Sequence, residues 1–278
     1  MIVVCGEALM DVFAAGDTPS GIALDARVGG SPFNVAVGLA RLQQEVAFFG
    51  ALSTDVLGER LRRALASEGV DTRLVARVDA PTTLGLVGSD ANGVPSYAFL
   101  GERGADRQLG ADALHWPRIA VEAIHVGSFA TVVEPVSSTL RALVERERER
   151  ALISYDVNVR FAVEADRARW KGALAWHLPR TDLLKLSEED LAALQPRRDA
   201  DAFAAHALRQ GVRLVAVTRG AAGVTAWTDR HKASVEALAV PVVDTVGAGD
   251  SFQAALLSWL KDEGRLSAEA IAGLDEQL

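Results

Sequence analysis

A single cysteine in 278 residues excludes an intrachain disulfide and fits a reducing compartment. That residue, Cys5, closes the apolar run Ile2-Val3-Val4, where a buried small hydrophobe is expected rather than a nucleophile. No stretch approaches the ~18 uninterrupted apolar residues of a spanning helix. No charged leader with an apolar core precedes the first strand pattern, so a cytoplasmic chain is expected. An excess of positive charge is also missing. Lys and Arg number 29 against 37 Asp and Glu, and the net charge of −8 argues against a nucleic-acid surface. It leaves room for a local cationic pocket. The chain has no internal repeat, low-complexity tract or linker. It contains no Gly-x-x-x-x-Gly-Lys-Ser/Thr run, which disfavours a P-loop. No Gly-x-Gly-x-x-Gly follows the first strand, which disfavours a dinucleotide-binding oxidoreductase.

What is present is ordinary globular material, 49% hydrophobic and 24% charged. Short apolar runs at Ile2 to Cys5, Val46 to Phe49, Ile124 to Val126, Leu152 to Tyr155, Leu183 to Leu186 and Leu214 to Val217 read as buried strands. Helical patterns lie between them at Val35 to Leu42, Val56 to Ser67, Pro135 to Arg150 and Asp201 to Gln210, and Ser267 to Gln277 reads as one further helix. Alternation of this kind predicts an α/β fold with a mainly parallel central sheet and helices on both faces, as one domain over residues 1–278. Val12 to Val28 and Thr82 to Leu100 break the pattern. They are rich in Gly, Thr, Ser and Val, and Asn92-Gly93 is a hairpin signal, so two surface hairpins are expected there. The run Glu145-Arg146-Glu147-Arg148-Glu149-Arg150 reads as a solvated helix face.

One segment carries chemistry. Asp244-Thr245-Val246-Gly247-Ala248-Gly249-Asp250-Ser251-Phe252 sets a carboxylate just after a glycine-rich turn, where an apolar helix begins. Free backbone N–H groups and the positive end of a helix make a seat for anionic oxygen. A carboxylate beside that seat is placed to take a proton from a hydroxyl, the minimum arrangement for phosphoryl transfer to a small molecule. The same residues also fit a tight left-handed turn followed by a capping Asp. A second glycine-led segment upstream, Gly29-Gly30-Ser31-Pro32-Phe33-Asn34, leads into another helix, with Ser31 as cap and Pro32 in its first position.

Together these segments resemble the two signatures of the ribokinase-like (PfkB) carbohydrate kinases. Gly6-Glu7-Ala8-Leu9-Met10-Asp11, Ala105-Asp106-Arg107, Asp156-Val157-Asn158-Val159-Arg160 and Thr218-Arg219-Gly220 fall in the same order, so the resemblance covers nearly the whole chain. Gly-Ser-Pro-Phe-Asn and Gly-Asp-Ser-Phe-Gln make it most similar to bacterial fructokinases. The resemblance implies a ribokinase-like three-layer fold whose segments 12–28 and 82–100 form a small β-sheet lid over the sugar, often also a homodimer contact. Asp250 is then the general base, and the N–H groups of Gly247, Ala248 and Gly249 the anion hole. Asp11, Gly29, Gly30, Asn34, Arg107 and Arg160 are implied at the sugar. Lys185, Glu188, Thr218, Gly220 and Gly249 are implied on the ATP and Mg2+ side, and Asp244 with Thr245 in a K+ site. At the family's Asn-x-x-Glu this chain has Ser187 and Asp190, leaving Glu188 as the available carboxylate. Members usually continue past the helix at Leu256 with a loop and helix that complete the adenine pocket and cation site.

The leading expectation is ATP-dependent phosphorylation of a sugar hydroxyl, with D-fructose giving fructose 6-phosphate. The same chemistry on 2-keto-3-deoxygluconate, ribose or a nucleoside is the alternative. A non-catalytic sugar sensor is a different class, disfavoured by the intact Gly247-Ala248-Gly249-Asp250.

Overall fold

A computed structural model describes residues 1–89, 95–116, 119–239 and 245–274. The chain begins with β1 (Ile2–Cys5), β2 (Leu9–Thr18), β3 (Gly21–Gly29), α1 (Ser31–Arg41), β4 (Val46–Phe49), β5 (Ala51–Ser53) and α2 (Val56–Ser67). It continues through β6 (Ala76–Val78), β7 (Leu84–Ser89), β8 (Pro95–Leu100), β9 (Ala123–Gly127), α3 (Val136–Glu147), β10 (Leu152–Asp156) and α4 (Arg167–His177). It closes with β11 (Leu183–Ser187), α5 (Glu188–Leu194), α6 (Ala200–Arg209), β12 (Leu214–Thr218), β13 (Val224–Trp227), β14 (Lys232–Val235), α7 (Ala248–Asp262) and α8 (Ala268–Ala272).

The central sheet runs β14-β13-β12-β11-β10-β9-β1-β4. Its strands are parallel from β4 to β12, with β13 and β14 antiparallel at one edge. The parallel strands are covered on both faces and therefore read as continuous apolar runs. One face packs Val136, Leu140, Trp170 and Phe203 of α3, α4 and α6; the other packs Leu39, Leu61 and Leu257 of α1, α2 and α7. Strand order reverses at β1, between β4 and β9, and open sheets of this kind hold ligands at the carboxyl ends of the strands beside such a reversal.

The sheet face toward α7 changes character along its strands. Ala123, Leu152 and Leu183 belong to the apolar cluster. Two residues on, and so on the same face, stand His125, Ser154 and Lys185, then Gly127, Asp156 and Ser187. All but Ser187 are buried. Polar groups at that depth cost about 1–3 kcal/mol each unless they are paired.

Residues from the 12–28 and 82–100 segments build a separate four-stranded sheet, β3-β2-β7-β8. Asn92-Gly93, expected as its hairpin turn, lies outside the described residues. β2 pairs antiparallel with β3 and parallel with β7, which sets Asp11 opposite Gly85. Ile22 and Leu24 on β3 are exposed.

Four expectations are corrected. The helix expected over Ser267 to Gln277 is shorter: α8 is capped by the Ser267 hydroxyl, which accepts from Ala270 N–H at 3.2 Å, and it ends at Gly273, a poor helix former. Residues 275–278 lie outside the described residues. Ser31 does not cap α1; Gly30, at φ 106°, is the N-cap residue and makes no side-chain cap, and Pro32 sits one place inside Ser31. The charged run is not a solvated face throughout. Glu147 is buried, accepting from Arg146 at 2.7 Å and Arg150 at 3.2 Å, and Arg146 lies over the Trp116 ring. The sheet also carries the antiparallel edge pair β13–β14, which periodicity did not separate from loop.

Candidate active site

Two helix N-termini meet at one carboxylate. Gly247 takes the left-handed conformation (φ 77°, ψ 3°) that only glycine adopts without strain, and it turns the chain into α7. Asp250, in the first turn of α7, is buried. Its Oδ1 accepts from the Ser31 hydroxyl at 2.7 Å and its Oδ2 from the Asn34 amide at 2.8 Å. Ser31 and Asn34 both stand on the first turn of α1, so the two glycine-led segments are joined through the carboxylate itself. Asn34 therefore holds the Asp250 carboxylate in addition to lining the cavity where a sugar was expected.

The backbone seat is smaller than expected. The Ala248 N–H donates to Thr245 O at 3.2 Å, closing the turn, and so does not face an anion. The remaining first-turn N–H groups of α7, those of Gly249 and Asp250, have no intrahelical acceptor. Beneath Gly249 lies a buried ion pair: Lys185 Nζ donates to Asp156 Oδ2 at 2.8 Å, and Asp156 Oδ1 has no partner. A Cβ at Gly249 would come within 2.9 Å of Lys185 Nζ. Burial works against the Lys185 charge, yet Asp156, Asp190 and Asp250 together hold its pKa above the ordinary value. The seat thus has a fixed cation under it.

Asp11 approaches from the small sheet. It is clasped between two glycines: a Cβ at Gly29 would collide with Asp11 Oδ2, and one at Gly85 would meet Oδ1 at 2.8 Å. Gly85 was not anticipated, because only strand register reveals it. Burial lifts the Asp11 pKa to about 6, opposed by Arg160 and assisted by Asp250, so these three charges share one space. Gly30 could not bear a side chain either, since its Cβ would meet Glu7 O at 2.8 Å. A cavity of about 360 Å³ opens on Asp11, Asn34 and Gly247 and reaches Phe13 and Arg27.

Arg160 is exposed and its charge reaches Asp11 and Glu7. Arg107 is buried over the Phe129 ring, 5.8 Å from its centroid, and its charge reaches Asp106. On the other side, Ser187 and Asp190 form a capping box at the start of α5: Ser187 Oγ accepts from Asp190 N at 3.0 Å, and Asp190 Oδ2 from Ser187 N at 3.1 Å. Asp190 Oδ1 also accepts Val159 N–H at 2.9 Å. Glu188 and Gly220 are exposed, Thr218 is half-buried, and Thr218 pairs with Ser187 in register at the strand ends. Thr245 is exposed, and Asp244 lies outside the described residues. Among the described residues no group of three His, Cys, Asp or Glu could hold a metal ion.

Glu7 was passed over as part of a motif, yet it is buried at the end of β1 with Oε2 unpartnered. Burial pushes its carboxyl from 4.5 to about 8, against the Ser128 hydroxyl and Arg160. Between those values the folded chain keeps a proton that the unfolded chain has released, so stability falls as pH rises. Relative to Glu7→Gln, the wild type is expected to lose about 1.4 kcal/mol per pH unit through the middle of that window. Thermal unfolding of both chains from about pH 5 to about pH 8 checks this; parallel curves would show Glu7 ionised throughout.

A family model described as pfkB family carbohydrate kinase matches residues 1–273. The chain is 36% identical over 277 residues to a fructokinase of Rhizobium leguminosarum bv. trifolii, covering 100% of this chain and 85% of that protein. A fructokinase from Xylella fastidiosa with bound ATP superposes with TM-score 0.84 at 28% identity, covering 94% of this chain and 81% of that one. A fructokinase from Vibrio cholerae O395 in fructose, ADP and calcium ion bound form superposes at 0.82 and 27% identity, covering 98% and 90%. Among the described residues no helix is long and apolar enough to cross a membrane.

Proposed function

The chain belongs to the pfkB family of carbohydrate kinases and is a sugar kinase; from that premise we propose that it transfers the γ-phosphoryl of ATP to a hydroxyl of D-fructose, giving fructose 6-phosphate. The observation that carries this reading is Asp250, held by Ser31 and Asn34 at the meeting of two helix N-termini, with its charge felt by Asp11 and its partner Asn34 lining the same cavity as Asp11. The fructokinases among its relatives support fructose as the sugar.

The residues divide the work. Asp11 accepts hydrogen bonds from sugar hydroxyls, and Gly29, Gly30 and Gly85 let the ring come close to the backbone. Arg160 offsets the charge of Asp11. Asp250 takes the proton from the attacking hydroxyl, with Ser31 and Asn34 fixing the direction of its lone pairs. The Gly249 and Asp250 N–H groups, with Lys185 beneath them, stabilise charge on the transferring phosphoryl. The buried lysine, and a glycine where a Cβ would touch it, fit a phosphate chain at this point. Mg2+ bound with the nucleotide would neutralise phosphate charge, with Glu188 an exposed carboxylate on that side. Thr218 and Gly220 flank the nucleotide, and Thr245 the K+ position. Arg107, buried over Phe129, acts at the edge of the sugar site by supporting its wall. The small sheet is the lid, and its exposed Ile22 and Leu24 are the surface through which two copies pair.

Sugar-dependent ADP release across a panel of free sugars tests the reading. Turnover with fructose supports it, and turnover with only another sugar removes the fructose assignment. Asp11→Ala is expected to raise the fructose KM by at least ~10-fold with a smaller effect on kcat, as loss of a hydrogen-bonded charged partner does. An unchanged KM would take Asp11 out of the sugar site.

A further inference from the structure

The sequence Gly249-Asp250-Ser251-Phe252-Gln253 ends in a residue that the chemistry above does not use. Gln253 stands on α7 three positions after Asp250, on the same helix face and one turn deeper. It is fully buried. Its Nε2 donates to Ser154 Oγ on β10 at 2.9 Å, and Ser154 Oγ is bonded to His125 Nδ1 on β9 at 3.0 Å. Ser154 and His125 are also fully buried and are register partners in the parallel sheet. This chain of three side chains lies just below the Asp156–Lys185 pair, which touches Gly249.

We propose that Gln253 is a positioning residue for phosphoryl transfer: through Ser154 and His125 it locks the first turn of α7 to the sheet and so fixes where Asp250 and the backbone seat stand. The inference rests on the sugar-kinase reading of Asp250. Three features argue for it. The neighbouring level of the same sheet face holds Ala123 and Leu152, and Leu183 beside Ser154 in register is apolar too, so apolar packing against α7 was available and was not used here. The polar level is costly, because His125 Nε2 and Gln253 Oε1 remain unpartnered. Burial and the Lys185 charge keep His125 neutral, so one of its ring nitrogens accepts, and with Gln253 donating to Ser154 Oγ the Ser154 hydroxyl has a proton to offer to His125 Nδ1. Apolar contacts let a helix slide, whereas a directed hydrogen-bond chain sets it at one height. On the α1 side Ser31 and Asn34 hold the Asp250 carboxylate and Gln44 holds the far end of α7 at Ser258 and Asp262, so among the described residues the tie from the first turns of α7 to the sheet is the one through Gln253.

The test uses Gln253→Met, Ser154→Ala and the double variant in the full chain. Expected for each is a kcat at least ~10-fold below wild type with the sugar KM within about twofold, because misplacement of reacting groups by an ångström costs rate on this scale. The double variant should be no slower than the slower single one, as two links of one chain are not additive. Hydrogen exchange should be faster at the hydrogen-bonded amides of that turn, Ser251 and Phe252, in all three. A kcat within twofold of wild type in folded Ser154→Ala, or unchanged exchange in that turn, overturns the proposal even where Gln253→Met fails to fold. A wild-type chain inactive on every sugar would instead strike the sugar-kinase reading, and the exchange measurement would still decide whether Gln253 fixes the turn.

Discussion

Asp250→Asn is expected to fold as the wild type does and to turn over at least ~100-fold more slowly, the scale of a lost general base. The substitution keeps shape. Its amide oxygen can still accept from Asn34 Nδ2, and its new NH2 group can donate to Ser31 Oγ, whose hydroxyl turns to accept. Both hydrogen bonds that seat the side chain therefore survive, and the melting temperature should move little. What disappears is the lone pair that takes the proton. With the sugar assigned by the proposal to Asp11 and the backbone near Gly29 and Gly30, its KM should stay within a few-fold. Steady-state kinetics with a thermal melt check this. Near wild-type kcat would remove Asp250 from the reaction, and a collapsed melt would mean that its charge is structural.

Lys185→Met is expected to lower both stability and rate. It leaves Asp156 fully buried with no cation, and breaking one partner of such a pair costs about 3–5 kcal/mol. Lys185→Met/Asp156→Asn removes the stranded charge and should recover most of the lost stability. It should not recover turnover, because the cation beneath Gly249 is still gone, and removal of one such stabilising group costs about 10²–10³ in kcat. Unfolding and kcat measured on the single and double variants separate the two effects. A double variant that regains wild-type turnover would show that Lys185 only neutralises Asp156.

These expectations draw on features that the sequence disclosed unevenly. Asp250 was legible because glycines before a helix are a local signal, and local signals survive in a linear text. The parallel strands were legible for the same reason, each being a short run of apolar residues. The partners of Asp250 were not. Ser31 fits an N-cap by its type, and only the tertiary approach of α7, more than two hundred residues on, gives its hydroxyl a carboxylate instead. Gly85 faces Asp11 through a strand register that no single segment encodes. Ser187 and Asp190 carried a readable sign, Ser-x-x-Asp ahead of an apolar turn, and the resulting capping box explains why Asp190 is occupied structurally at the place of the family's Glu. The charged run at Glu145 was misread because alternating charge gives no hint that Arg146 and Arg150 close over Glu147.

The link between β3 and α1 is a single residue, Gly30, and directly after it come the hydroxyl and amide that hold the base. The consequence bears on redesign. Loop length there has no slack: one inserted residue would rotate Ser31 and Asn34 about 100° around the helix, away from Asp250. The outward turn between β2 and β3 is under no such constraint, because its residues Asp17 to Ile22 are exposed. Retuning the chain for another sugar is therefore a task for side chains on β2, β3, β7 and β8, with the Gly29-Gly30-Ser31 junction left at its native length.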